Sequence, residues 1–178
     1  LAPSEMCIRD RDKVAEDKKK VDNEKAAEEA AEKAVKDLED KKGKVTDEEI
    51  AAAKEKVEKV TDPTKKKDLQ DRLDKVAEDK KKVVDEADKL AKAKEDAKKT
   101  IKALENLDDQ EKAPFNKQVD DATTIPEVEK AVLDAQKADA KKKVEGMTNL
   151  SPTDKQNAND AIDNATNKGE VDKAVNDA

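Results

Sequence analysis

The sequence predicts an all-α protein of tandem small three-helix bundles joined by long shared helices, drawn out into an elongated rod. Three observations predict it. Charged residues make up 48% of the 178, yet the net charge is only -7, and the Ala, Lys, Glu, Asp and Leu that dominate are residues of solvated helices. Apolar residues recur at three- and four-residue spacing, while Gly and Pro number only 3 and 5. The chain also repeats itself at two different periods, which marks serial packed units instead of one large core.

The first eleven residues stand apart. They hold the only cysteine, Cys7, and two arginines, Arg9 and Arg11, in a chain whose basic residues are otherwise almost all Lys. Asp12–Val21 and Asp74–Val83 both read DKVAEDKKKV. LQDRL precedes the second copy and CIRDR the first, so the match breaks between Arg11 and Asp12. The string SEMCIRDR resembles translated sequencing-adaptor sequence. Residues 1–11 are therefore expected to be a non-native or disordered tail. A single cysteine cannot form an internal disulfide, so it says nothing about the compartment.

From Asp12 a helix is expected to reach Lys42 and stop at Gly43, since glycine readily ends helices. Thr46-x-x-Glu49 is a capping box that opens a second helix through Ile50, Ala53, Val57 and Val60. Asp62-Pro63 breaks the chain and starts a third. Neither Gly nor Pro falls between Thr64 and Asn106, and Leu69, Leu73, Val76, Val83, Ala87, Leu90, Ala97, Ile101 and Leu104 keep a helical spacing. One continuous helix is expected over that whole stretch. Residues 12–76 then form a helical stalk repeat of three helices, and 77–92 a helical linker.

The other half contains a second repeat. Ala93–Ala135 aligns without gaps on Gln136–Ala178. Ile101 falls on Val144, Leu104 on Met147, Leu107 on Leu150, Val119 on Ile162, Val128 on Val171 and Val132 on Val175. Apolar positions persist while most surface positions change, as two copies of one packed unit require. Asp108-x-x-Glu111 and Ser151-Pro152-x-Asp154 mark the second helix of each copy, and Thr124-x-x-Glu127 and Asn167-x-x-Glu170 the third. Each unit, 93–135 and 136–178, is expected to be three short helices, the last one truncated.

Chemistry finds little to work with. There is no His for general acid–base work or zinc, and three Gly cannot build a phosphate-cradling loop. The pairs Asp108-Asp109 and Asp120-Asp121 lack the alternating acids and central Gly of a calcium loop, and read as helix ends. An enzyme is not expected, and neither is a cofactor or a metal. Lys runs such as Lys18–Lys20 and Lys80–Lys82 are flanked by acids and read as solvated faces, not as a nucleic-acid patch. No apolar run approaches a membrane span, so no membrane insertion is expected. The chain is expected to be monomeric.

The stretch AKEDAKKTIKALENLDDQEKAPFNKQVDDATTIPEVEKAVLDA resembles the GA module, a three-helix unit of Gram-positive cell-wall surface proteins, in the divergent form of extracellular-matrix-binding adhesins. An AKEDA-like opening, Val119-x-x-Ala122 and the run Thr124–Val128 carry the resemblance. It implies surface display, secretion and wall attachment, and for some members the binding of host serum albumin or a matrix protein. It also implies a candidate partner-binding set: Phe115, Val119, Ile125 and Val128. Pro114, Asp120-Asp121 and the lack of any Tyr depart from the albumin-binding pattern. Phe115, four residues before Val119, also reads simply as core, and Ala158 takes its place in the second copy.

The leading expectation is a non-enzymatic stalk segment of a bacterial adhesin that spaces a binding domain from the cell wall. Direct capture of albumin or a matrix protein is the alternative. A third, a desiccation-protective chain disordered in water, suits the composition but has no need of helix caps.

Overall fold

The computed structural model describes residues 3–178, and side chains from Ile8 onward. Residues 1–2 and the side chain of Cys7, all within the expected tail, lie outside what is described. Seven helices account for the structure, with no strand among the described residues: α1 (Pro3–Glu39), α2 (Asp47–Glu58), α3 (Pro63–Lys102), α4 (Asp109–Asp121), α5 (Ile125–Glu145), α6 (Pro152–Asn164) and α7 (Lys168–Asp177). The chain divides into two compact units, with the boundary between Asp85 and Glu86.

In the first unit, α1 contributes Ala31, Val35 and Leu38, α2 contributes Ala53 and Val57, and α3 contributes Leu69, Leu73 and Val76. Val45 and Val60 close the ends from the two loops, and Val35 and Val57 are wholly inaccessible. Each valine so buried contributes about 1.5–3 kcal/mol. Thr46 caps α2 with the expected reciprocal box to Glu49, and the Asp62 carboxylate accepts from the Thr64 and Lys65 amides at 2.9 Å to open α3.

Three boundaries differ from the sequence expectation. Pro3–Arg11, for which disorder is one of the two expectations, lie within α1. Ala, Glu, Lys and Asp follow them without a breaker, and a helix once nucleated propagates upstream at little cost. At its other end α1 stops at Glu39, short of Lys42. Lys42 and Gly43 both take positive φ, 48° and 81°, so the chain reverses over two residues. Gly43 is required there: a Cβ on it would stand 2.8 Å from the Asp79 carbonyl oxygen, in the backbone of α3. Finally, α3 ends at Lys102 and not at Asn106. Leu107 must turn inward, where it is 7% exposed, and Asn106 must reach α5, so the chain leaves the helix early with no Gly or Pro to announce it. Within α3 the apolar series is also interrupted: Val83 and Leu90 are half-buried and Ala87 is exposed.

Arg72 explains one arginine among so many lysines. Its guanidinium spans two oxygens of Glu39 at 2.8 Å each and Glu32 at 2.7 Å, binding α3 to α1. A lysine cannot make that planar fork. The hydrogen bonds from Arg72 hold the Glu39 carboxyl below the usual carboxylate range and push the guanidinium upward.

The second unit holds two cores. Ala97 and Ile101 of α3, Val119 of α4, Ala122, and Val128, Ala131 and Ala135 of α5 form the first. Ala140 and Val144 of α5, Ala158 and Ile162 of α6, Ala165, and Val171, Ala174 and Val175 of α7 form the second. Helix α5 therefore belongs to both, its first half to one core and its second half to the next. The repeat register holds in space: Ile101 and Val144 are both inaccessible, as are Val119 and Ile162.

Candidate partner-binding face

The candidate face is built from α4, the turn at 122–124 and the start of α5. Asp108 caps α4 in a reciprocal box with Glu111, and Thr124 caps α5 in the same way with Glu127. Glu127 also accepts from the Thr123 amide at 2.7 Å and its hydroxyl at 3.1 Å. These donors hold the Glu127 carboxyl below the usual range. Pro126 sits in the first turn of α5, where its missing amide costs nothing. Pro114 lies inside α4, where one backbone bond is forgone at an exposed position.

The four candidate residues separate into two pairs. Val119 is inaccessible and Val128 is 2% exposed, so both are core side chains. Phe115 packs on the same core from its edge and is half-buried, and Ile125 at the start of α5 is half-buried as well. Of the four, Phe115 and Ile125 therefore reach the surface, and Val119 and Val128 belong to the core behind it. A valine four residues from an aromatic on one helix face reads first as core in the sequence, and the packing against α5 shows which of the two is fully covered.

The acidic pair beside this face is engaged. Asp120 pairs with Lys98 at 2.5 Å, and Asp121 pairs with Lys117. Asp108 is the cap. Among the described residues no group of three or more acids or cysteines is placed to hold a metal.

A polar frame runs beneath the apolar register, and reading only apolar positions missed it. Lys94 donates to the Asp120 carbonyl at 2.7 Å, and Lys137, its repeat equivalent, to the Asp163 carbonyl at 2.9 Å. Lys112 donates to the Lys102 carbonyl at 3.1 Å, and Lys155 to the Glu145 carbonyl at 2.8 Å. Each lysine satisfies a carbonyl orphaned at a helix end. The signal was present, because these lysines and aspartates recur at the same 43-residue offset.

Asn106 donates to Asp139 of α5 through its backbone amide, at 2.7 Å, and its side chain, at 2.9 Å. Lys142 of α5 reaches Glu111 of α4 at 2.5 Å. The second half of α5, whose apolar side chains serve the second core, is thus also tied by polar bonds to the first module. The family model for the GA module matches residues 87–139 and 130–178, together more than half of the chain. The chain belongs to the GA module family. No curated protein and no solved structure matches it. The two GA matches overlap across 130–139, and that overlap falls on α5, the helix common to both cores. The GA module is a family of binding modules found in bacterial surface proteins.

Proposed function

We propose that the chain is a spacer segment of a secreted, wall-attached bacterial surface protein, a non-enzymatic run of modules that holds a binding domain away from the wall. The observation that carries this reading is α5. It supplies Val128, Ala131 and Ala135 to one GA core and Ala140 and Val144 to the next, with no loop between them. Modules joined in this way bend only by breaking helix hydrogen bonds or opening a core, whereas a looped linker would let them swing. Three apolar cores closed by caps weigh against the desiccation-protective alternative, a chain disordered in water.

Spin labels test the spacer. With Cys7→Ser, cysteines replace exposed Gln118 on α4 and Asn176 on α7, and the distance distribution between labels is measured by pulsed electron resonance. A single narrow distribution is expected. A broad one, of the kind a flexible linker gives, refutes the reading.

Direct capture of host albumin or a matrix protein is the second reading, favoured by the family and by the half-exposed pair Phe115 and Ile125. Immobilised albumin and fibronectin, each probed with the intact chain and with Phe115→Ala, decide it. Binding lost in Phe115→Ala, with helicity unchanged, supports capture through this face. Absence of binding to either ligand leaves the spacer alone.

A further inference from the structure

The decapeptide DKVAEDKKKV occurs twice in the first unit, and the two copies have different surroundings. In Asp74–Val83, Val76 is 4% exposed and belongs to the core with Leu38 and Val45. Asp79, Lys80 and Val83 are half-buried, and Lys80 reaches Asp47 at 2.5 Å. Gly43 lies against this segment so closely that a Cβ would stand 2.8 Å from Val83 Cγ2. In Asp12–Val21 all ten residues are exposed, Val14 at 67% and Val21 at 61%. Both copies are helical, so local sequence does the same thing in each. Burial differs only because one copy has a neighbour.

Single exposed valines are ordinary on protein surfaces. What singles these out is that the same side chains, in the same order on the same kind of helix, are covered elsewhere in the molecule by a surface that is fully described. We propose that the α1 face carrying Val14, Lys18 and Val21 is a docking surface for a helical hairpin built like residues 31–60. That hairpin has two helices turned by a positive-φ glycine, apolar side chains at the positions of Leu38 and Val45, and an acid at the position of Asp47 to meet Lys18. A second copy of this chain is the poorer occupant. Its own hairpin is already covered by its own Asp74–Val83, so docking in trans displaces an identical sequence and gains nothing. The occupant is another unit of the same repeat. The inference rests on the repeated decapeptide and stands apart from the spacer role.

Thiol labelling tests it. In one chain, Cys7→Ser and Val14→Cys leave a single reporter thiol. In another, a second copy of residues 24–73 replaces residues 1–11, so that LQDRL again precedes Asp12, and Val14→Cys is again the only thiol. Labelling in the extended chain is expected to slow by about tenfold or more, since reaction then requires local opening. Replacing the glycine of the added copy by Val is expected to restore rapid labelling. Unchanged labelling in the extended chain overturns the proposal. An added copy that stays unfolded by circular dichroism counts against it equally, because α1 would then fail to supply what Asp74–Val83 supplies. Sedimentation of the chain without the addition is expected to show a monomer. A dimer in which Val14→Cys is protected would make a second copy the occupant and overturn the proposal.

Discussion

Gly43→Ala isolates one backbone contact on which the first unit depends. Two costs add at this position. Gly43 has φ of 81°, a region that charges an L-residue about 1–2 kcal/mol. The new Cβ would also stand 2.8 Å from the Asp79 carbonyl oxygen and 3.0 Å from its carbon. Those atoms are helix backbone and cannot rotate away, so α1 and α3 must separate slightly, an overpacking cost of about 1–3 kcal/mol. The sum is about 2–5 kcal/mol. Hydrogen exchange read by mass spectrometry measures it locally. At about 1.36 kcal/mol per decade, amides in residues 31–76 should lose roughly 30-fold to several-thousand-fold protection, or unfold outright. Residues 93–178 carry their own cores and should be unchanged. A loss under about threefold in residues 31–76 would refute the close-approach reasoning. An equal loss in the second unit would refute the independence of the cores.

Three other outcomes are expected. The second GA module should lose exchange protection before the first, because Ala158 stands where Phe115 packs, and Ile162→Ala should cost it about 2–5 kcal/mol, enough to unfold it alone in a calorimetric trace. Arg72→Lys keeps the charge but loses the fork to Glu39 and Glu32, so urea titration should show the first unit weakened by about 1 kcal/mol, with the carboxylates' exposure keeping the figure small. Glu39, Glu49, Glu111, Glu127 and Glu170 all titrate below the ordinary 4.5 in the folded chain. Depressed folded values mean that their contribution is complete above pH 4.5 and is lost as pH falls through the lowered values, so melting temperatures should hold from neutrality to about pH 5 and drop below it.

Helices were legible where a local feature announced them. Thr46, Asp108, Thr124, Ser151 and Asn167 each open a helix as their spacing predicts, because a cap is chemistry among residues three apart. The two GA cores were legible too, since Ile101 and Val144, or Val119 and Ile162, keep apolar character at a fixed offset. Less legible was the end of α3, where the demand that Leu107 and Asn106 meet α5 overrides a sequence that would otherwise continue helical. The candidate face was half legible: the resemblance to the GA module gathered four residues, and packing divided them into core and surface.

The sequence by itself determined that this chain is helical, where most helices begin, and that its small cores recur, because these follow from backbone bonding and side-chain character within a few residues. Tertiary structure alone decided which side chains are covered. The identical strings at Asp12–Val21 and Asp74–Val83 make the point: both become helix, yet Val76 is buried and Val14 is not, since burial belongs to a pair of surfaces and one sequence segment specifies only one of them.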